Sequence, residues 1–508
     1  MKRKITLLFQ CFLCLVFSVM TLVASAQKKQ APKYSIKVQM KGIKDTTLLL
    51  SHYFGYGQQV PKDTAKVDND GNIIFEGDEE LPEGLYLIQH NRFGIFDFII
   101  DKDQDFSLVM DTTSFIKSMK VAGSKENELY FSFQQNYAKR IDEIRKLRGD
   151  DVAPKTKNAT PKKLDAETEK KINAIGEDIN AYVKRFIAEN KDSFAAKVIE
   201  APSDPEIPED FRKSLKGKKD SSERVFYYYK AHFFDKIDLS DERLMRTPFT
   251  QRKLDRYFND LTVQSNDSVC KEADSVVKLA KNNATMKKYL IYYITSSYEN
   301  PKTLGTDGVV VCMGEKYYVG QPELWDTATV RNFKDRIKLM KPLLTGNKIP
   351  NMMPSDSLNR IVPLHNVNSK YTIVFLYDPN CGHCRDTTPK LVKLYNEKKF
   401  KERGITVYMA SIERNVQEWK KFVREFKTDK FINVIDVHIN PQTKKEEYYV
   451  DFKNWFDVYA TPVVFILDRD KKIIAKRLPV EQMDDFFTYY DKFLEQQAKD
   501  KAKTAGSK

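Results

Sequence analysis

Cys381-Gly382-His383-Cys384 constrains this chain more than any other stretch. Before it, Tyr371-Thr372-Ile373-Val374-Phe375-Leu376-Tyr377 is an apolar, β-rich run that reads as a buried strand. Asp378-Pro379-Asn380 reads as a turn, and the residues after Cys381 have helical character. Strand, turn and a C-x-x-C that opens a helix make the frame of a redox dithiol. The first cysteine then sits at a helix N-terminus, where unpaired N–H groups and the macrodipole favour a thiolate. The second lies three residues on, close enough to close a disulfide and less exposed. A structural zinc site normally needs four ligands, and no second C-x-x-C or H-x-x-x-H lies near. A static disulfide would be strained over so short a loop. The expectation is an active dithiol, with no cofactor and no metal.

At 508 residues the chain is too long for one core, and two to four domains are expected. Hydrophobic residues make up 41% and aromatics 12%, which excludes intrinsic disorder as the class. Lys2, Arg3 and Lys4 form a positive start, Ile5 to Val23 is nearly all apolar, and Ala24-Ser25-Ala26 is an A-x-A cleavage site before Gln27. Residues 1–26 therefore read as a cleavable signal peptide, with the mature protein exported to the periplasm. No second apolar stretch is long enough to span a membrane. Cleavage leaves Cys270, Cys312, Cys381 and Cys384 of the 6 cysteines. It also lowers the net charge from +14 to +11 by removing the three basic residues. The remaining lysines are spread along the chain among Glu and Asp, so the basicity reads as a solvated surface. No nucleic-acid-binding signature accompanies it.

Three further regions follow from periodicity. Residues 34–122 read as an antiparallel β-sandwich-like domain of short strands, with Asp68-Asn69-Asp70-Gly71 as a hairpin turn. Asp101, Asp103 and Asp105 alternate like a calcium loop but lack the glycine and terminal Glu at the required spacing, so a solvated turn is expected. Residues 124–345 switch to a helical period and read as an all-α domain, with a polar linker from Gly149 to Lys163. Within it, Phe226 to Phe234 is dense in aromatics and reads as a helix buried on most sides, with His232 structural. Cys270 and Cys312 sit in helical patterns and are expected as buried free thiols rather than a disulfide. Residues 348–496 alternate strand and helix, and 497–508 read as a disordered tail.

Residues 348 to about 496 resemble the thioredoxin superfamily. The likeness is to the TlpA-like exported thiol–disulfide oxidoreductases, grouped near the alkyl-hydroperoxide-reductase and thiol-specific-antioxidant proteins. The residues that carry it are Cys381-Gly382-His383-Cys384, Pro389, and Thr461-Pro462-Val463-Val464-Phe465-Ile466-Leu467-Asp468, about 80 positions after the dithiol. The resemblance implies a C-terminal α/β thioredoxin fold. It makes Pro389 a kink in the active-site helix and Pro462 a cis-proline facing the dithiol, with Thr461 offering backbone to a substrate. Val38 to Met110 resembles the small β domain that precedes thioredoxin modules in exported proteins of gut-type Gram-negative bacteria. The helical stretch around Tyr229 to Pro248 resembles another domain of that group.

The chain departs from the pattern twice. Phe375 occupies the strand position where the family often has a buried carboxylate that takes the proton of the second cysteine. Asp378 and Glu413 remain as alternatives, and the base is unassigned. His383 resembles the residue found in disulfide isomerases. An imidazole beside the first sulfur stabilises the thiolate and shifts the couple toward about −180 mV rather than about −270 mV.

The expected reaction is dithiol–disulfide exchange, with Cys381 attacking and Cys384 resolving. Expected partners are protein thiols and disulfides of the cell envelope, with a membrane electron-transfer partner if the flow is reductive. An envelope binding or assembly factor working through residues 34–345 is the alternative from another class. A thiol peroxidase is the alternative among enzymes, disfavoured by the vicinal cysteine pair.

Overall fold

The computed structural model describes residues 32–54, 58–91, 93–149, 164–299, 303 and 305–505. The signal peptide expected at 1–26 and most of the linker expected at 149–163 lie outside these residues. The chain divides into two compact units, one ending at Asp260 and one beginning at Leu261. This division falls inside the helical stretch 124–345 rather than at its ends.

In the first unit, eight strands form two four-stranded sheets. They are β1 (Tyr34–Lys41), β2 (Thr47–Phe54), β3 (Gln58–Lys66), β4 (Asn72–Gly77), β5 (Gly84–His90), β6 (Phe93–Ile100), β7 (Asp105–Asp111) and β8 (Lys120–Ala122). The sheet orders are β4-β1-β7-β8 and β3-β2-β5-β6. All pairs are antiparallel except β1 with β7, which run parallel. The alternation in β1 buries Ile36, Val38 and Met40, and Phe98 of one sheet meets Phe106 of the other at a ring distance of 6.0 Å.

Asp68–Gly71 does form a turn, with Asp68 Oδ1 accepting the N–H groups of Asp70 and Asn72. It is not a hairpin, because it hands the chain from β3 in one sheet to β4 in the other. Among the described residues the strand before it is a polar edge strand paired only with β2, with Pro61 at a register shift, so no hydrophobic alternation marks it.

The helix Lys125–Arg148 starts at Ser124, whose side chain accepts the N–H of Asn127, and stops at Gly149, whose φ is +72°. Asn127 is buried and anchors this helix to β6 by two hydrogen bonds with the Ile99 backbone, of 2.8 and 2.7 Å. The aromatic helix Lys218–Ala231 departs from the expected burial. Phe226 is 41% and Tyr227 60% exposed, and in the aromatic run only Phe233, just past the helix, is fully buried. Four consecutive aromatics necessarily point around the whole helix, and this helix is covered on one side only. His232 pairs with Asp235 at 2.6 Å.

In the second unit, the helices Asn266–Lys278, Ala284–Ser297, Gly308–Met313 and Thr327–Met340 precede a five-stranded sheet. Cys270 and Cys312 form a disulfide, which corrects the expectation of free thiols. Gly308 carries no side chain where a Cβ would run into Asn266, so the two helices approach closely and the cysteine Cα atoms lie 6.5 Å apart.

The sheet contains β9 (Tyr371–Tyr377), β10 (Ile405–Ser411), β11 (Ile432–Ile435), β14 (Val463–Leu467) and β15 (Ile473–Lys476) in the order β11-β10-β9-β14-β15. A two-residue-strand ribbon of β12 (His438–Ile439) and β13 (Glu446–Glu447) lies outside it. Strands β9 to β11 run parallel, and β14 and β15 antiparallel to their neighbours. β9 is buried along its whole length because both faces are covered. Ile373, Phe375 and Tyr377 pack with Leu391, Trp419 and Phe422, whereas Val374 and Leu376 pack with Tyr408, Phe452 and Phe465. The last helix, Met483–Ala505, runs on through most of the segment expected to be disordered, so its helical periodicity outlasts the apolar pattern.

Candidate active site

The parallel strands end on the edge where the dithiol lies. After β9, Cys381 N–H bonds the Asp378 carbonyl at 3.1 Å and Asp378 Oδ1 accepts the Asn380 N–H at 2.7 Å, which closes the turn. Cys381 is the N-cap of the helix Gly382–Glu397, with extended backbone at φ −74° and ψ 123°. Its thiol is half-buried and lies 3.3 Å from the carbonyl oxygen of Thr461. The next peptide bond, Thr461–Pro462, is cis. Thus two segments 80 positions apart meet across one thiol–carbonyl contact.

The two sulfurs differ in environment. Burial by itself raises the Cys381 thiol, but hydrogen bonding with Thr461, the Cys384 and His383 backbone N–H groups and the Cys384 side chain outweigh it, and the net shift is downward. Cys384 is fully buried among Phe375, Tyr377, Leu391 and Trp419. Burial pushes its thiol up to about 12, with Cys381 adding to the rise and Thr461 and the Asp378 backbone opposing it. At neutral pH the outer sulfur is therefore the better anion and the inner one a protonated thiol.

The remaining expected site residues fall as follows. Gly382 and His383 are exposed, and a Cβ at Gly382 would meet nothing within 4 Å. Pro389 lies inside the active-site helix, and the buried Thr388 hydroxyl one residue earlier bonds the Cys384 carbonyl at 2.8 Å. Phe375 is buried in the core at the position of the family carboxylate. The Asp378 carboxylate is spent on the turn, and Glu413 is exposed beyond β10. Among the described residues, no hydrogen bond joins either carboxylate to a sulfur. Sequence reasoning missed the cleft of about 630 Å³ beside Pro462, lined by Tyr459, Ala460, Asp457, Arg477 and, from the helical segment, Arg336. No local motif marks these residues, since they are gathered from distant positions.

Three family models match the chain. A domain of unknown function (DUF4369) covers residues 34–130, a second (DUF5106) covers 157–341, and the AhpC/TSA family covers 345–476. No curated protein matches the chain. Among solved structures, a domain of a possible thiol-disulfide isomerase from Cytophaga hutchinsonii is 42% identical, over 30% of this chain and 98% of that one, with a TM-score of 0.27. The thioredoxin domain of a thiol-disulfide oxidoreductase from Bacteroides vulgatus is 27% identical, over 29% and 96%, with a TM-score of 0.25. A thiol:disulfide interchange protein from a Bacteroides species is 28% identical, over 30% and 90%, with a TM-score of 0.24. Residues 345–476, which hold the dithiol and the cis-proline, match the AhpC/TSA family and form an AhpC/TSA thioredoxin-like domain at the C-terminus.

Proposed function

We propose that the protein is an exported, periplasmic thiol–disulfide oxidoreductase that exchanges disulfides with envelope proteins. The observation that carries this reading is the asymmetry of the pair: a half-buried Cys381 held 3.3 Å from the Thr461 carbonyl, above a fully buried Cys384. Cys381 thiolate attacks one sulfur of a substrate disulfide. The substrate S–S bond breaks, a Cys381–substrate disulfide forms, and the departing substrate thiolate takes up a proton. Cys384 then loses its proton and attacks Cys381 Sγ, which closes the Cys381–Cys384 disulfide and releases the second substrate thiolate.

The order is built into the environment. Burial above all, with the Cys381 sulfur adding to it, holds Cys384 protonated. Once Cys381 enters the mixed disulfide its charge no longer adds to that rise, and the Asp378 backbone and Thr461 oppose a smaller barrier, set by burial, to forming the Cys384 thiolate. The same residues run in reverse for oxidation and isomerisation, and the electron supply sets the direction. A reductive role takes its electrons from a membrane partner. The vicinal pair suits this exchange better than peroxide reduction.

A Cys381→Ser/Cys384→Ser double variant in a deletion strain tests the proposal. Loss of complementation is expected. Full complementation would show that the first 345 residues work as a binding or assembly factor without the redox centre. The potential of the Cys381/Cys384 couple against glutathione then separates reductive from oxidative work: a value near thioredoxin, about −270 mV, indicates reduction, and one near about −180 mV indicates oxidation or isomerisation.

A further inference from the structure

The cleft beside cis-Pro462 continues beyond the thioredoxin-like domain. A second cavity of about 400 Å³ adjoins it, and the two share Arg336, Asp457, Val463, Arg477, Leu478 and Pro479. Together they make one groove, whose near end is lined by Ala460 and Pro462, the neighbours of Thr461. It runs along the seam between the sheet and the helix Thr327–Met340, which supplies Arg336. All of these residues belong to the second compact unit.

Most charges of the groove are matched. Lys390 pairs with Glu481 at 2.9 Å, Lys476 pairs with Asp307, and Arg477 lies 3.8 Å from Asp457. Arg336 is the most loosely held. It is half-buried, its ion pair with Glu299 is long at 4.0 Å, and its Nε is buried without a hydrogen-bond partner among the described residues. A guanidinium carries five N–H donors in a planar fork, and leaving the buried Nε–H without a hydrogen bond is costly. The group that satisfies the fork best is a carboxylate, held by two parallel hydrogen bonds. Asp457 Oδ1 is likewise buried without a partner, which suits an amide N–H. A guanidinium held by one long ion pair and a buried carboxylate oxygen without a hydrogen bond, on a groove that extends across two cavities, describe an extended polypeptide rather than a small thiol.

Resting on the exchange function proposed above, we infer that Arg336 determines substrate specificity by receiving an acidic side chain that flanks the reactive cysteine of a polypeptide substrate. Asp457 accepts a backbone N–H of the same segment. This makes the helical segment before the thioredoxin-like domain part of the substrate site.

The test uses full-length, pre-reduced protein and cysteine peptides activated as 2-pyridyl disulfides, identical except for Glu, Gln or Lys beside the cysteine. Attack by Cys381 on the peptide sulfur forms the mixed disulfide and expels 2-thiopyridone, whose absorbance gives a second-order rate constant. The Glu peptide is expected to react about tenfold or more faster than the Lys peptide, the scale of a charge-assisted hydrogen bond. Arg336→Gln should flatten this preference. Arg336→Glu should reverse it, a gain for the Lys peptide that misfolding cannot produce. Equal wild-type rates for the three peptides, or an Arg336→Glu protein that still prefers Glu, overturn the inference. Release from none of the peptides overturns the exchange function itself and the inference with it, so the two failures are told apart.

Discussion

Cys381 and Cys384 lie three positions apart at the head of one helix, whereas Cys270 and Cys312 lie 42 positions apart and join the helices Asn266–Lys278 and Gly308–Met313. Both pairs belong to the second compact unit. In the first, one sulfur is half-buried at a helix N-terminus and the other is sealed in the core, and the pair is open as two thiols. In the second, both residues are half-buried and the bond is closed. The difference lies in what each pair is attached to. A pair within one helical turn leaves the backbone unchanged whether it is open or closed, so its energy is free to drive exchange. A pair that spans a long loop restricts the unfolded chain, so its energy goes into stability.

The sharpest way to break this comparison is to remove the nucleophile. Cys381→Ser is expected to lower the rate of exchange with a peptide disulfide by about a thousandfold or more, since a hydroxyl does not replace the thiolate. Residual exchange comparable to wild type would place the chemistry elsewhere, with the second pair the first suspect. Next comes the double substitution Cys270→Ser/Cys312→Ser. It should cost about 3 kcal/mol of stability in chemical denaturation while exchange persists. If exchange is lost in protein that remains folded, the second pair is a redox partner and not a staple.

His383→Pro sharpens the first half. Proline removes the imidazole and also the His383 backbone N–H that favours the Cys381 thiolate, so the potential should become more reducing by about 30 mV, a tenfold change in the exchange equilibrium. An unchanged potential would detach His383 from the thiolate. The smallest effect is in pH. Because Cys381 is shifted downward, its alkylation by limiting iodoacetamide should rise to a plateau with a midpoint below that of an ordinary thiol. Cys384, buried and held near 12, should stay unmodified across that range. A midpoint at or above the ordinary value contradicts the proposed asymmetry.

The regions differ in how far they could be read from residues alone. β9 and the active-site helix were legible because the buried central strand and the C-x-x-C are local features, and the strands of the β region showed alternation wherever one face is buried. What escaped were elements whose reason lies elsewhere in space. β3 is polar because it is an edge strand, and the Asp68–Gly71 turn links two sheets although its residues suit a hairpin. β11 was missed because Ile432–Ile435 is a four-residue strand containing Asn433, too short for a period. Phe226 and Tyr227 were expected to be covered, but aromatic content does not say how many neighbours a helix has.

By itself, the order of residues determined the dithiol, the strand and helix that hold it and, through resemblance, the proline that faces it, because each rests on short-range spacing or on a motif. Only the tertiary structure decided that Thr461 lies 3.3 Å from Cys381, that Cys270 meets Cys312, and that Arg336 joins the groove beside Pro462. Those are meetings between segments far apart along the chain. They follow from how helices and sheet pack, which no local window contains.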